Sequence, residues 1–371
     1  MGCTSFLSSQ KEEFIKIIEI GNKAKICHSF LIKSIKTDDE YALKTININA
    51  NKKEKKKVLN DIEILKNITH PNIILLKDSY YSDDYKFLNI ITEYADGGDL
   101  QAKLEEQITK KEYFDLDTLL NWFMQICLAL KYLHNNNIIH RDIKPSNIFL
   151  MKQDSQDFAK LGDFGVAKTL NSTLNYAKTV VSEPQYLAPE IIEKHKYSFE
   201  ADIWSLGVTF YQLITFNFPF EGKSNEEIQE NILEGKRKEI SLDCNADPQF
   251  INIINEMLSI RPEERPSAEN LLQKPIIKTR MDCYLKQNEF SLQKSLNIIK
   301  NYENDHDNEF KKNKNIRVID FYKKNQNDIN IEKNQNENCS RKNKAIYDFN
   351  RQMTIMSSEI VKRTNSLPVK I

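Results

Sequence analysis

The chain has 371 residues, enough for one large bilobal domain or two ordinary ones. Its 53 basic and 53 acidic side chains leave no net charge, which argues against a global field for nucleic acid or an anionic membrane. Cys3, Cys27, Cys127, Cys244, Cys283 and Cys339 form no Cys-x-x-Cys pair, so zinc and disulfide scaffolds are not expected and a reducing, intracellular home is.

The start, MGCTSF, puts Gly2 and Cys3 where myristate and palmitate attach, yet Phe6 stands where the myristoylation pattern wants Ser or Thr. Residues 1–13 hold no apolar signal core and read as a disordered start; membrane attachment is expected only if both residues are acylated. From Phe14 the segments FIKIIEIG, HSFLIKSI and YALKTINI read as three strands, with turns at Gly21-Asn22 and Thr37-Asp38-Asp39. In KKEKKKVLNDIEILKNITHPNII, Val58, Ile62, Leu65 and Ile68 recur at helical steps, so the lysines form the solvated face of a helix.

Residues 87–92 read as a buried strand, and Asp99 as the cap of the helix that follows. LDTLLNWFMQICLALKYLHNNN is a long amphipathic helix with Leu120, Phe123, Ile126, Cys127, Leu130 and Leu133 inward, Cys127 serving as core. The most apolar run, 208–220, is broken by Gln212 and Asn217 and is too short to span a bilayer. Past Pro275 the composition shifts to Asn, Lys, Gln and Glu. Residues 278–371 therefore read as a largely disordered tail with a short helix over 285–299.

The chemistry concentrates in residues 138–165, IIHRDIKPSNIFLMKQDSQDFAKLGDFG. His140-Arg141-Asp142, Lys144 and Asn147 put a carboxylate, an ammonium and an amide in one loop, and Asp163-Phe164-Gly165 adds a second carboxylate after a strand. A base, a cation for a phosphoryl group and oxygen donors for magnesium are what phosphoryl transfer needs. Gly222-Lys223-Ser224 looks like the tail of a P-loop, but Asn217 replaces its leading glycine and no buried strand precedes it.

The two loops resemble the H-R-D-x-x-x-x-N and D-F-G elements of the protein kinases, and further kinase elements follow in order. Tyr41-Ala42-Leu43-Lys44 resembles the V-A-I-K strand, Ala188-Pro189-Glu190 the A-P-E element, and Asp202 to Gly207 the central helix; Arg265 stands where the family pairs an arginine with Glu190. The resemblance covers residues 14–277 and implies an α+β bilobal fold, a β-rich small lobe with one helix and a mainly helical large lobe. It implies ATP and Mg2+ as cofactors and a protein substrate. Asp142 would act as base, and Lys144 would offset charge on the γ-phosphate. Asn147 and Asp163 would hold magnesium, and Lys44 would position ATP with Asp61 behind it. Ile20, Gly21, Ala42, the hinge residues Glu93 and Ala95, and Phe149 below the adenine would complete the nucleotide site.

Three departures stand out. IGNKAKICHSF keeps Gly21 but at most one glycine of the phosphate-covering loop. Asp61 takes the place of the helix glutamate, and Ser182-Glu183-Pro184 takes the place of G-T-P. Glu183 lacks the hydroxyl that would bridge Asp142 and Lys144; it is expected to crowd Asp142, to capture Lys144, or to swing to solvent. These departures keep open an alternative, a pseudokinase scaffold that binds partners with little catalysis.

HPNII, EYADGGDL, KPSNIFL, LGDFGVAKTL and AKTVV resemble segments of the NIMA-related (Nek) serine/threonine kinases. That resemblance implies regulation at Thr179 by an upstream kinase or autophosphorylation, and a cytoplasmic setting that extends to the microtubule or ciliary cytoskeleton. Near the C-terminus, RTNSLP around Ser366 resembles a site for a phosphoserine-reading protein. No nucleic-acid partner is expected.

Overall fold

The computed structural model describes residues 6–8, 13–20, 27–47, 62, 66, 68–82, 86–153, 156–163, 183–241, 244 and 246–284. The expectations at Gly2, Cys3, Gly21, Asp61, Thr179, Ser366 and residues 285–299 lie outside them.

Among the described residues the small lobe holds one antiparallel sheet of six strands. They are β1 (Phe6–Ser8), β2 (Glu13–Ile20), β3 (Cys27–Ser34), β4 (Glu40–Asn47), β5 (Leu76–Tyr81) and β6 (Phe87–Glu93), in spatial order β1-β2-β3-β4-β6-β5. The two-residue period of the strands sorts the side chains. Phe14, Ile32, Tyr41, Leu43 and Ile91 pack with Phe30 and Tyr80 on one face. Ser29, Ala42, Lys44, Ile90 and Thr92 fall on the other, where they line a cavity.

Within the stretch read as a disordered start, residues 6–8 form β1, and residues 1–5 and 9–12 lie outside the described ones. Phe6–Ser8 pair with Ile15, Phe14 and Glu13. The free edge of β2 offers unpaired backbone groups, and a short strand satisfies some of them.

The large lobe begins with α1 (Leu100–Lys110), capped by Asp99, whose carboxylate accepts the Ala102 N–H at 2.8 Å. α2 (Leu116–Asn135) buries all six residues predicted to face inward, Cys127 among them. α4 (Phe199–Thr215) is buried nearly all round, as a central helix must be. It follows the short α3 (Pro189–Ile192). α5 (Asn225–Leu233), α6 (Pro248–Met257) and α7 (Ala268–Leu272) complete the lobe. Phe123 of α2 meets Phe210 of α4 and Phe250 of α6 edge-on, with centroids 5.0 and 5.1 Å away. The P-loop-like Ser224 is the cap of α5, accepting the Glu227 N–H. Among the described residues no helix is long and apolar enough to cross a membrane.

Between the lobes lies a hairpin, β7 (Ile148–Gln153) and β8 (Gln156–Leu161). Backbone hydrogen bonds join it to both neighbours. Leu161 N donates to Asn72 O and Ile74 N to Leu161 O, while Gly97 N donates to Leu150 O and Leu150 N to Gly98 O. A Cβ on Gly97 would lie 2.8 Å from the Leu150 oxygen, so this approach requires glycine. The ends of β4, β6 and β8 and the loop before β7 therefore converge on one cleft.

Candidate active site

Asp202, near the start of α4 and 1% exposed, organises the loop before β7. Its carboxylate accepts the N–H groups of His140 (2.8 Å) and Arg141 (2.7 Å) and pairs with His134 Nε2 at 2.9 Å. Those bonds hold Arg141 at φ +70°, a conformation that a non-glycine residue keeps only when its surroundings enforce it. His140 is fully buried. Its Nε2 donates to Gly162 O at 2.9 Å, and its Nδ1 accepts the Asp142 N–H at 3.3 Å. Both bonds use the neutral ring, in keeping with burial, which pushes the imidazole below its usual range despite Asp202 and Asp142 nearby.

The predicted catalytic and metal residues come together. Asn147, in the short 3-10 turn Pro145–Asn147, donates from Nδ2 to the Asp142 carbonyl (2.7 Å) and to Asp142 Oδ2 (2.8 Å). Gly162 N donates to Asn147 O at 2.9 Å, which ties the residue before Asp163 to Asn147. Across the cleft, Lys44 Nζ lies 2.7 Å from Asp163 Oδ2. Burial pushes the Asp163 carboxyl up, but the charge and hydrogen bond of Lys44 outweigh it and hold it below the ordinary carboxylate range. Asp163 sits at φ +54°, a second strained residue at the same place.

The cleft between the lobes encloses a cavity of about 280 Å3. Ile20, Ala42 and Thr92 lie along it with Ala95, Phe149 and Asp163. An isolated bridge between Asp99 and Phe149 fixes the floor residue. Glu93 also borders the cavity, but its side chain has other work. Oε1 accepts the Leu75 N–H at 2.7 Å and Lys160 Nζ at 2.7 Å, and Lys160 is 1% exposed.

Glu183 takes the capturing course. Its Oε1 lies 3.5 Å from Lys144 Nζ, and both line a small recess with Arg141, Asp142, Tyr186 and Tyr197. The partner expected for Arg265 is there too. Nη1 and Nη2 each bind one Glu190 oxygen at 2.8 Å.

Sequence reasoning missed three residues. Asp202 was matched to the central helix but given no role in the loop before β7. Ser29 belongs to a strand read only for its period. Lys160 had a visible signal: a lysine within the apolar FAKL strand must find a buried partner.

The model of the protein kinase domain matches residues 14–277. The chain belongs to the protein kinase family. Among curated relatives, this kinase is 35% identical to serine/threonine-protein kinase Nek1 of Mus musculus over 275 residues, which is 74% of this chain and 22% of that protein. It is 37% identical to Nek5 of Mus musculus, over 71% of this chain and 40% of the relative. It is 32% identical to serine/threonine-protein kinase nekl-2 of Caenorhabditis elegans, over 72% of this chain and 74% of the relative. The chain thus spans less than half the length of the two mouse relatives. The resemblance to NIMA-related kinases stands.

Proposed function

We propose that residues 14–277 form a catalytic unit that transfers the γ-phosphoryl group of ATP to serine or threonine hydroxyls of proteins. The observation that carries this reading is the convergence of two hydrogen-bonded pairs, Lys44–Asp163 and Asn147–Asp142, from three separate segments, tied together by the Gly162 N–H to Asn147 O. A protein scaffold needs none of these polar groups at the mouth of a cavity. Asp142, held by Asn147, orients the acceptor hydroxyl and accepts its proton. Lys44 reaches nucleotide phosphates from β4, and Lys144 offsets charge on the transferred group. Ala42 and Phe149 supply apolar walls for the base. Most of the rate gain comes from positioning and electrostatic stabilisation.

The site fits Mg2+. The Asn147 NH2 is turned to Asp142, which leaves its amide oxygen as a ligand, Asp163 supplies a carboxylate, and hard oxygen ligands are what this ion takes. Held by Asp163 and Asn147, the ion would neutralise phosphate charge.

Radiolabelled phosphate transfer to a generic protein substrate, beside an Asp163→Ala control, tests the reading. Incorporation that is absent, or equal in both proteins, would overturn it. Phosphorylation of Thr179, by this chain or another kinase, is part of the proposal, with Arg141 as its cation. Activity unchanged by dephosphorylation and by Thr179→Ala would remove that part. A cytoplasmic, cytoskeleton-associated location is the setting this reading favours, and imaging of a tagged chain tests it.

A further inference from the structure

Glu183 stands beside the residue that receives the substrate hydroxyl, and its charge is unlike anything the transfer chemistry requires there. Its side chain is 56% exposed, and its contact with Lys144 is 3.5 Å long. A well-formed charge-assisted bond is about 2.7–2.9 Å, so the pair is loose and open to exchange. The recess around it holds two carboxylates, Asp142 and Glu183, and two cations. Of the cations, Arg141 has its guanidinium 5.9 Å from the Tyr197 ring and is the one assigned to phosphorylated Thr179 above. Lys144, 23% exposed, is the cation that Glu183 meets.

We propose that Glu183 selects protein substrates bearing a lysine or arginine next to the acceptor residue, because that cation draws Glu183 away from Lys144. This rests on the phosphotransfer reading above and deepens it. Without a basic neighbour, Lys144 is shared between Glu183 and the phosphate. With one, the carboxylate has a better partner and Lys144 is returned to the phosphate. Recognition and activation are then one event, and the benefit falls on kcat more than on KM. An acidic neighbour meets Glu183 with like charge and loses on both counts.

The test uses the full chain and serine peptides that differ only at the residues flanking the acceptor, with Arg, Ala or Glu there. Exchange of one exposed ion pair, together with reversal of its charge, corresponds to roughly tenfold in kcat between the Arg and Glu peptides. Glu183→Thr should flatten that ratio to within about twofold, chiefly by raising the rate on the Ala and Glu peptides. Glu183→Asp, which keeps the charge, should retain the order. A wild-type ratio near one while transfer proceeds, or the same ratio in Glu183→Thr, overturns the assignment. No transfer by wild type to any peptide or to itself overturns the phosphotransfer reading beneath it.

Discussion

Replacing Lys160 by methionine isolates the energetics of the buried link between β6 and β8. The ammonium is 1% exposed and lies 2.7 Å from Glu93 Oε1, whose side chain is 11% exposed. At an effective dielectric of about 20, that separation corresponds to about 6 kcal/mol of attraction. Removing the lysine also relieves its own desolvation, which offsets about half of this. The remaining Glu93 charge keeps the Leu75 N–H as a donor at 2.7 Å. A net loss of about 3 kcal/mol follows, at the lower end of what breaking a buried pair on one side costs. In a domain of this size it corresponds to a fall of about 6–12 °C in Tm. Lys160→Met with Glu93→Gln leaves no buried charge, and the amide oxygen still accepts from Leu75. The double variant should therefore return to within about 1 kcal/mol of wild type. Urea titration followed by circular dichroism on the four proteins measures this. A loss below about 1 kcal/mol in Lys160→Met, or a double variant as weak as the single, would refute the reasoning.

Four further outcomes are expected. Lys44→Met should weaken thermal stabilisation by Mg-ATP and Asp163→Ala should remove its metal dependence; stabilisation unchanged in both would count against the two sites. Glu183→Thr should raise turnover on a neutral substrate with KM for ATP nearly constant, and steady-state kinetics showing unchanged or lower turnover in folded protein would refute the capture of Lys144. Arg265 donates five hydrogen bonds, two to Glu190 and three to the carbonyls of Ser259, Glu200 and Ile260, so Arg265→Met should cost about 3–5 kcal/mol and Arg265→Lys should restore little of it; rescue by lysine in a denaturant titration would be contrary. His140 has a lowered folded-state pKa, so its contribution is complete above the unfolded value of about 6.5 and is lost as pH falls below it. Urea midpoints between neutral and mildly acid pH should thus fall less steeply in His140→Asn than in wild type, and equal slopes would exclude the assignment.

Much of the fold was legible because local pattern and tertiary role agree. β2 to β4 are rich in β-branched and aromatic residues, with alternation clearest in β4 and broken by a bulge in β2, and the inward residues of α2 recur at helical steps, so much of the burial could be read from spacing. The catalytic loop was legible for another reason: its residue types have few uses together. What could not be read were contacts between segments far apart in the chain. Asp202 binds groups 61 and 62 residues away, and Lys160 and Glu93 are 67 apart. No periodicity encodes such pairs. The strand Phe6–Ser8 escaped because three residues carry too little pattern, and its pairing is set by the edge of β2 rather than by its own propensity. Glu183 was legible as a departure, yet its three expected courses could be separated only by distance.

The cavity floor also bears on how this site can change over generations. A Cβ on Gly162 would lie 2.6 Å from the Phe149 ring and 2.9 Å from Ile74. Gly162 immediately precedes Asp163, and its N–H and C=O are both committed, to Asn147 and His140. It cannot retreat, so the ring must. Any side chain at 162 becomes acceptable only after Phe149 has given way to something smaller, and a return to phenylalanine is then barred until glycine is restored. The two positions form a ratchet: the order of substitution, not only their sum, decides which sequences this lineage can reach.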